Sequence, residues 1–185
     1  MKNKQAIYYE LLVLRCRRGH KDALEELVRS WEKQLFFYVR RLVDDEQDAW
    51  QILQQTWLKV LRGIKNLREP CKLPAWLYGI ARNTALSHLR TKYSQEAFFE
   101  SNADTSKIED YNSAIHFDNA EQVYYGLGRV SLPHREVLTL FFLQDLSIDE
   151  IADVLGIPVG TVKSRLHYAK QTLKTVLEKE AGNYE

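Results

Sequence analysis

A short run of polar and cationic side chains in the last quarter of the chain is the best candidate for binding chemistry. Thr161, Lys163, Ser164 and Arg165 stand close together, and Tyr168 follows about one helical turn later. Lysine and arginine bind phosphates and guanine edges, and threonine and serine are short enough to let a backbone approach closely. These residue types predict a contact with nucleic acid.

Two helices joined by a glycine turn are predicted to hold this run. Ser147, with Glu150 three residues later, forms a capping box ahead of an apolar stretch. Gly156 suits the left-handed position that ends this first helix, and Pro158 suits the entry to the second. The pattern is typical of a helix-turn-helix that enters the DNA major groove. The alternative is an ordinary helical hairpin with a solvated basic face.

Charge is distributed unevenly along the chain. The formal net charge is only +1, so the chain lacks the strongly basic balance of a non-specific nucleic-acid binder. Residues 79–95 and 155–177 are nevertheless basic and contain no Asp or Glu, whereas residues 94–121 are acidic. Two cationic surfaces separated by an acidic connector predict two DNA contacts, with the connector kept away from the phosphates.

A second candidate nucleic-acid surface lies on a helix predicted over about residues 75–93. Trp76, Asn83, Ser87 and Arg90 fall on one face of this helix. An aromatic ring, an amide, a hydroxyl and a guanidinium suit stacking on exposed bases and hydrogen bonding to them beside phosphates. The alternative is that Trp76 belongs to the core and the other three are ordinary surface residues.

The preceding helix has two distinct faces. Its predicted core stripe consists of Ala49, Leu53, Trp57, Val60, Leu61 and Ile64. A second face, at spacings of three and four residues, consists of Gln51, Gln54, Gln55 and Leu58. Spacing alone does not distinguish a partner-binding surface from a solvated side of the helix.

Composition and periodicity predict an all-α protein. The 185 residues include only 4 Pro and 8 Gly, and few runs alternate as β-strands do. We expect two small helical domains, over residues 1–93 and 119–185, joined by a flexible acidic linker over residues 94–118. The first contains a long amphipathic helix over about residues 22–43. The second contains the helix-turn-helix, with helices expected over residues 119–130, 133–143, 147–155 and 158–180.

Catalysis, metal binding and membrane insertion are not expected. The five histidines are scattered, no Gly-rich phosphate loop occurs, and Cys16 and Cys71 lie far apart without a zinc or disulfide pattern. No apolar run approaches the roughly 20 residues of a membrane span. We therefore expect no catalytic residue, no metal and no cofactor, and a cytoplasmic protein.

Three motifs occur together in one order. They are DAWQILQQTWLKV at residues 48–60, AWLYGIARN at residues 75–83 and GTVKSRL at residues 160–166. Through them the chain resembles the extracytoplasmic-function class of bacterial RNA polymerase sigma factors, within the sigma-70 family. The resemblance implies a region 2-like first domain, a region 4-like second domain, and a non-enzymatic subunit that binds core RNA polymerase and helps to open promoters.

The resemblance also implies a role for each surface. The helix at residues 48–60 is where the class docks on the clamp helices of the largest polymerase subunit, which implies polymerase contacts by Asp48, Gln51, Gln54, Gln55 and Leu58. The next loop and helix bind the melted minus-10 strand and a flipped base, which implies DNA contacts by Arg68, Lys72, Trp76, Asn83, Ser87 and Arg90. In the class, the helix-turn-helix domain binds the minus-35 element, which implies DNA contacts by Arg135, Thr161, Lys163, Ser164, Arg165 and Tyr168.

The chain departs from the family pattern at some of these positions. Gln51 and Gln55 stand where acids are usual, which weakens a salt-bridge account of docking. Ser87 stands where Asp or Asn is frequent, and Tyr168 stands where a basic residue is frequent. An anti-sigma factor is a further expected partner, because the class is commonly held inactive by one.

Three other functions remain as alternatives. One is a helix-turn-helix activator that does not replace a sigma factor and whose N-terminal half senses a ligand or a phosphorylation. Such a sensor predicts a pocket or an acceptor Asp at the end of a strand, and no strands are predicted. Another is a sigma-like interaction protein that no longer binds promoters. The last is an enzyme, which the scattered histidines disfavour.

Overall fold

Helices form almost all of the structure, a computed structural model that describes residues 2–100 and 119–181. The eight α-helices of these ranges are α1 (Lys2–Arg17), α2 (Lys21–Arg40), α3 (Glu46–Gly63), α4 (Leu73–Glu100), α5 (Asn119–Arg129), α6 (Leu132–Leu138), α7 (Ile148–Leu155) and α8 (Val159–Ala181). Short 3-10 turns occupy Ile64–Asn66 and Pro70–Lys72. No strand occurs in the described ranges, so the all-α prediction is confirmed.

The long helix predicted over residues 22–43 is α2, which ends at Arg40. Its apolar repeat is buried at Leu27, Trp31, Leu35 and Val39. The acidic segment that follows caps α3, because the Asp45 carboxylate accepts from the Gln47 backbone N–H over 2.6 Å. Side-chain capping of this kind fixes where α3 begins and therefore which of its faces meets the core.

The buried face of α3 differs from the prediction at one end. Leu53, Trp57, Val60 and Ile64 are buried as expected, but Leu61 is exposed. Ile52 and Thr56 are buried, and the Thr56 hydroxyl donates to the Ile52 carbonyl over 2.8 Å. The core stripe is therefore rotated toward Ile52 and Thr56, and Leu61 lies outside it, beside Trp57.

Two helical segments were not predicted. Helix α1 is absent from the sequence-based assignment, yet Leu12, Val13 and Cys16 of α1 are buried against the rest of the domain. Helix α4 passes its predicted end at Tyr93 and reaches Glu100. No Gly or Pro stands between Ile80 and Glu100 to end it. The part of the predicted linker over residues 101–118 lies outside the described residues.

The C-terminal domain contains the predicted helix-turn-helix. Ser147 and Glu150 form the expected reciprocal capping box at the start of α7. Gly156 ends α7 in the left-handed region, with φ of 66°, a conformation that an L side chain adopts only with strain. The helix predicted over residues 133–143 is divided, since α6 ends at Leu138 and a π-helical turn follows over Thr139–Leu143.

Helix α7 packs along α4, so the two halves of the chain touch in this structure. Leu77 and Ala81 of α4 are buried, as are Ile151 and Val154 of α7. Contact between the halves was not part of the sequence-based prediction, which treated them as joined only by the linker.

Candidate nucleic-acid interface

The recognition helix α8 presents most of its predicted contact residues to solvent. Val162, Leu166 and Ala169 face the core. The exposed residues on the other side include Thr161, Lys163, Ser164 and Tyr168, and Arg165 is half-buried. The apolar residues repeat at three and four positions, so the helix offers a single polar side near its amino end.

The two cations of this surface are available to a ligand. Among the side chains described for residues 4–94 and 123–179, no acid forms an ion pair with Lys163 or Arg165. The Ser164 hydroxyl donates to the Thr161 carbonyl over 3.1 Å, which keeps it close to the backbone. The Tyr168 ring meets His167 edge-on, with centroids 5.5 Å apart. This surface combines two unpaired cations with short hydroxyls, as a major-groove contact requires.

A cavity of about 420 Å³ brings together four of the residues assigned to the second surface. Arg68 and Lys72 come from the loop between α3 and α4, and Trp76 and Asn83 come from α4. Both 3-10 turns of this loop pack against α1, and the second also contacts α4. A ring, an amide and two cations around one cavity suit an unstacked base and its phosphate.

Trp76 is both part of the packing and part of the cavity wall. Its ring is half-buried and packs on the core cluster. A Cβ at Gly63 would stand 3.1 Å from Trp76 Cζ2, so the glycine at the end of α3 makes room for the indole. The two interpretations of Trp76 offered by the sequence, core and base contact, are therefore compatible.

Ser87 and Arg90 are exposed on α4 beyond the cavity. At about 1.5 Å per residue they lie roughly 6 and 10 Å along the helix from Asn83. The Ser87 carbonyl accepts from Thr91 Oγ1 over 3.0 Å, and its hydroxyl faces outward with the helix surface. The cavity does not include these two residues, but they share the exposed helix face of Asn83. We refer to the face formed by Asn83, Ser87 and Arg90 as the α4 track.

The surface of α3 is exposed where the sequence placed it. Gln51, Gln54, Gln55 and Leu58 all lie outside the core. Sequence analysis missed two residues of the same surface, Trp50 and Leu61, which are 48% and 40% exposed. Both lie within one or two turns of Gln54 on its side of the helix, and the signal that could have found them is this helical spacing.

Trp50 is held in place by an aromatic stack. Its ring lies over Phe36 of α2, with centroids 4.1 Å apart and planes at 28°. The indole nitrogen also donates to Glu46 Oε1 over 3.3 Å. The outer face of α3 is thus more apolar than its glutamines suggest, with a fixed indole at one end and two leucines beyond it.

Asp48 does not lie where a contact with polymerase would require it to be. One carboxylate oxygen lies 2.8 Å from Lys92 Nζ, and the other lies 3.1 Å from His88 Nε2, both on α4. The hydrogen bond from Lys92, together with that from His88, lowers the pKa of Asp48 below its ordinary value. Both oxygens are occupied inside the domain, so Asp48 joins α3 to α4 in this structure and does not face outward with Gln51.

Arg135 and Lys72 are also engaged within the protein. The Arg135 guanidinium donates to the Arg41 carbonyl over 3.2 Å and to the Gly128 carbonyl over 2.7 Å. The Lys72 ammonium lies 3.4 Å from the Asp153 carboxylate. A phosphate contact by either side chain requires these partners to be exchanged, and both contacts stay predictions.

Comparison with known proteins identifies the two halves separately. Residues 27–95 match Sigma-70 region 2, and residues 126–173 match Sigma-70, region 4. The chain is 32% identical over 178 residues to the RNA polymerase sigma-H factor of Pseudomonas aeruginosa, an alignment that covers 90% of this chain and 92% of that protein. This chain belongs to the extracytoplasmic-function class of sigma factors. A further relative is the ECF RNA polymerase sigma factor SigW of Bacillus subtilis, 23% identical over 89% of this chain and 94% of that protein.

Solved structures share the fold of this sigma factor. One is the structure of CnrH in complex with the cytosolic domain of CnrY, with a TM-score of 0.67 and 22% identity over 91% of this chain and 96% of that one. Another is the sigma factor RpoE in complex with the anti-sigma factor NepR from Bartonella quintana, with a TM-score of 0.69 and 21% identity over 83% of this chain and 96% of that one.

The family and the function assigned from the motifs are confirmed, and the alternative of an activator that does not replace a sigma factor is not favoured. Sigma factors are in general regulators of DNA recognition. Within residues 2–100 and 119–181, no helix is long and apolar enough to cross a membrane. The same residues contain no group of three or more His, Cys, Asp or Glu that could hold a metal ion.

Proposed function

We propose that this sigma factor binds core RNA polymerase in the cytoplasm, recognises promoter DNA at two elements and opens it, without catalysing a reaction itself. The observation that carries the proposal is the cavity in which Arg68, Lys72, Trp76 and Asn83 meet. An activator that binds duplex DNA alone has no need for a cavity fitted to an unstacked base.

The minus-10 contact is made by the cavity and by the track that continues along α4. Trp76 offers a ring for stacking, Asn83 offers a donor and an acceptor to a base edge, and Arg68 and Lys72 offer cations to the phosphates. Ser87 and Arg90 continue the contact along the strand. Contacts with unpaired bases shift the promoter toward its open form, because the closed duplex cannot make them.

The minus-35 contact is made by the amino end of α8. Arg165 reads a base edge in the major groove, and Lys163 binds a phosphate. The short side chains of Thr161 and Ser164 let the helix approach the DNA backbone, and the Tyr168 hydroxyl donates to a phosphate. Supporting this assignment, the polar side of α8 begins directly after the Gly156 turn, where a helix-turn-helix contacts DNA.

The polymerase contact is made by the outer face of α3. Gln51, Gln54, Gln55 and Leu58 are exposed there, and the fixed ring of Trp50 lies beside them. Amides around apolar anchors give hydrogen bonds and buried area without the ion pairs that acids would supply. The occupant is the clamp-helix pair of the largest polymerase subunit.

An anti-sigma factor is a further proposed partner. The solved structure of RpoE contains the anti-sigma factor NepR. A protein that covers the α3 face or the α4 track of this chain would block polymerase or promoter binding, respectively.

Transcription of a fragmented host genome by core polymerase, with and without the purified chain, tests the proposal. Sequencing of RNA 5′ ends should show new start sites that depend on the chain and share two upstream elements. An activator would add no start sites to core polymerase alone, since core enzyme without a sigma factor has no promoter recognition to stimulate. Absence of chain-dependent start sites contradicts the proposed function.

A further inference from the structure

Another cavity, of about 520 Å³, contains none of the residues assigned above to polymerase or to DNA. Its walls come from α1, α2, the loop and first turns of α4, and residues 143–150. Three aromatic rings and two carboxylates line it, together with three glutamine side chains. The rings are those of Tyr9, Trp31 and Tyr78, and the carboxylates are those of Asp145 and Glu150. We refer to this cavity as the aromatic crevice. Its volume is in the range of sites for small organic ligands.

The three rings of the aromatic crevice stand at steep angles to one another. The centroids of Tyr9 and Trp31 are 5.6 Å apart with planes at 48°, and those of Trp31 and Tyr78 are 6.1 Å apart with planes at 76°. Rings that line one cavity at such angles can meet the same ligand from different sides. Because the face of an aromatic ring attracts positive charge, cages of such rings recognise organic ammonium ions.

The aromatic crevice is also negatively charged. Asp145 and Glu150 line it, and no Lys, Arg or His lines it among the described side chains. Burial raises the pKa of the Tyr9 phenol above its ordinary value, and the nearby charge of Glu150 adds to this shift. A ligand that enters the crevice therefore meets two carboxylates and three rings, and no cation of the described residues competes for them.

The hydrogen bonds at the aromatic crevice leave acceptors for an ammonium group. Oε2 of Glu150 accepts from the Ser147 backbone N–H over 2.8 Å and from the Ser147 hydroxyl over 2.6 Å. Oε1 of the same carboxylate takes no part in these two bonds. Nε2 of Gln5 donates to the Tyr9 hydroxyl over 3.0 Å, and the amide oxygen of Gln5 accepts nothing in that bond. An ammonium group carries only donors, so these oxygens are the partners that it needs.

Other classes of ligand fit the aromatic crevice less well. A phosphate or a carboxylate would be repelled by the two acids that line it. A bare metal ion needs several ligands, and the described residues contain no group of three or more His, Cys, Asp or Glu that could hold one. An apolar neutral molecule would leave both carboxylates without a counter-charge. The combination of rings and unpaired acids selects an organic cation.

We propose that the aromatic crevice is a binding site for a small organic ammonium ion, held by cation–π contacts with the three rings and by ion pairs with the two carboxylates. The walls come from segments before and after the predicted linker, so the bound ion contacts both halves of the chain. The proposal goes beyond the proposed function and does not depend on it, because the crevice shares no residue with the polymerase and DNA surfaces.

Calorimetric titration of the full chain with matched ligands tests the requirement for positive charge. Choline and cadaverine are compact ammonium ions, and dimethylbutanol and pentanediol are their uncharged counterparts of nearly the same shape. At least one of the two ions should bind with a dissociation constant of about 1 mM or tighter, a modest affinity for so small a ligand. Its neutral counterpart should bind at least about tenfold more weakly, since it lacks the cation–π contacts and the ion pairs. Failure of both ions to bind more tightly than their counterparts overturns the proposal.

Substitution of the two carboxylates tests their role without disturbing the fold. Asp145→Asn keeps a residue that tolerates the positive φ of 52° at this position, and Glu150→Gln keeps a residue that can form the capping box. The double variant should bind the ammonium ion at least about tenfold more weakly than wild type. Asp44→Asn with Asp149→Asn removes the same charge from exposed positions outside the crevice and should bind as wild type does. Equal affinities of the two double variants would overturn the assignment.

Cys71 reports whether the aromatic crevice is the place where the ion binds. Cys71 is exposed and lines the crevice, whereas the other cysteine of the chain, Cys16, is buried. Burial also raises the pKa of the Cys16 thiol, so iodoacetamide should modify Cys71 first. A saturating concentration of the ammonium ion should slow this reaction severalfold in the wild type, and the neutral counterpart at the same concentration should not. Binding by calorimetry without protection of Cys71 would place the ion elsewhere and would overturn the proposed site.

Discussion

Both carboxylate oxygens of Asp48 are occupied inside the N-terminal domain, and this changes what its substitution should do. Asp48 is 18% exposed and bonds to His88 and Lys92. Asp48→Asn should lower the free energy of unfolding by about 1–2 kcal/mol and leave polymerase affinity unchanged. Urea denaturation at neutral pH measures this, and Asp44→Asn, at an exposed position of the same acidic segment, is the control. Equal stability of Asp48→Asn and wild type would contradict the assignment.

The same contact has a defined pH dependence. The pKa of Asp48 is lowered in the folded chain, so its contribution to stability is present above the ordinary carboxyl pKa of about 4 and is lost as the pH falls through the lower folded value. The stability difference between wild type and Asp48→Asn should therefore shrink as the pH falls below about 4. A difference that stays constant down to acid denaturation would indicate that the charge of Asp48 is irrelevant.

The two cations of α8 should behave differently when removed. Arg165 is half-buried and Lys163 is exposed. A half-buried guanidinium suits a contact to one base edge, and an exposed ammonium suits a contact to phosphate. Arg165→Ala should reduce the free energy of promoter binding by about 1–3 kcal/mol and relax specificity at one base pair. Lys163→Ala should weaken binding to all DNA sequences alike and reduce the slope of log affinity against log salt concentration by about 1. Competition binding by the polymerase complex at graded salt separates these effects. Lys179→Ala, near the far end of α8, should show neither.

At the scale of single elements, α3 carries its core and its proposed docking face on different sides. Leu58→Glu should therefore fold normally but weaken polymerase binding by about 2 kcal/mol or more, since it places a charge in a contact that must be desolvated. Leu11→Glu is the matched control, because Leu58 and Leu11 are 50% and 57% exposed on different helices. Titration of core enzyme with labelled chain measures the affinity of both variants. Equal affinities would show that the outer face of α3 is not the polymerase-binding surface.

Helix α4 is proposed to act in opening, so its polar track should matter more on closed DNA than on DNA already unpaired. Asn83→Ala with Ser87→Ala should bind core polymerase normally and reduce transcription from a closed promoter by about tenfold, from two lost hydrogen bonds of about 0.5–1.5 kcal/mol each. A template unpaired in the minus-10 region should restore part of the activity. Wild-type activity of the variant on closed DNA would count against this role.

The elements that were predicted correctly are those whose signals are local. The ends of α7 are fixed by contacts within a few residues, at Ser147, Glu150 and Gly156. A short stretch of sequence is therefore enough to predict where this helix begins and ends. Trp76 and Asp48 were harder to place, because their surroundings come from distant segments. Gly63 makes room for the indole, and His88 and Lys92 neutralise the carboxylate. No periodicity within α3 or α4 reports such pairings.

At the scale of the whole molecule, the contact between the two domains should limit how much stability is lost when the cation beside a buried carboxylate is removed. Glu136 of α6 is 3% exposed and accepts a hydrogen bond from Arg82 of α4 over 2.7 Å. Arg82→Gln removes this cation, and an uncompensated charge that stays buried costs about 3–5 kcal/mol. Glu136 lies at the contact between the two domains, however, and separation of the domains would return it to water. The free energy of unfolding of each domain should therefore fall by less than this amount, and the chain should expand instead.

Small-angle scattering with chemical denaturation distinguishes the two outcomes. The radius of gyration of Arg82→Gln should rise well above the roughly 16 Å of a compact chain of 185 residues, with a loss in stability below about 2 kcal/mol. Arg90→Gln, at an exposed position of the same helix, should leave both quantities unchanged. A variant that stays compact while losing about 3–5 kcal/mol would show that Glu136 remains buried when unpaired, and that the contact between the two domains persists without its ion pair.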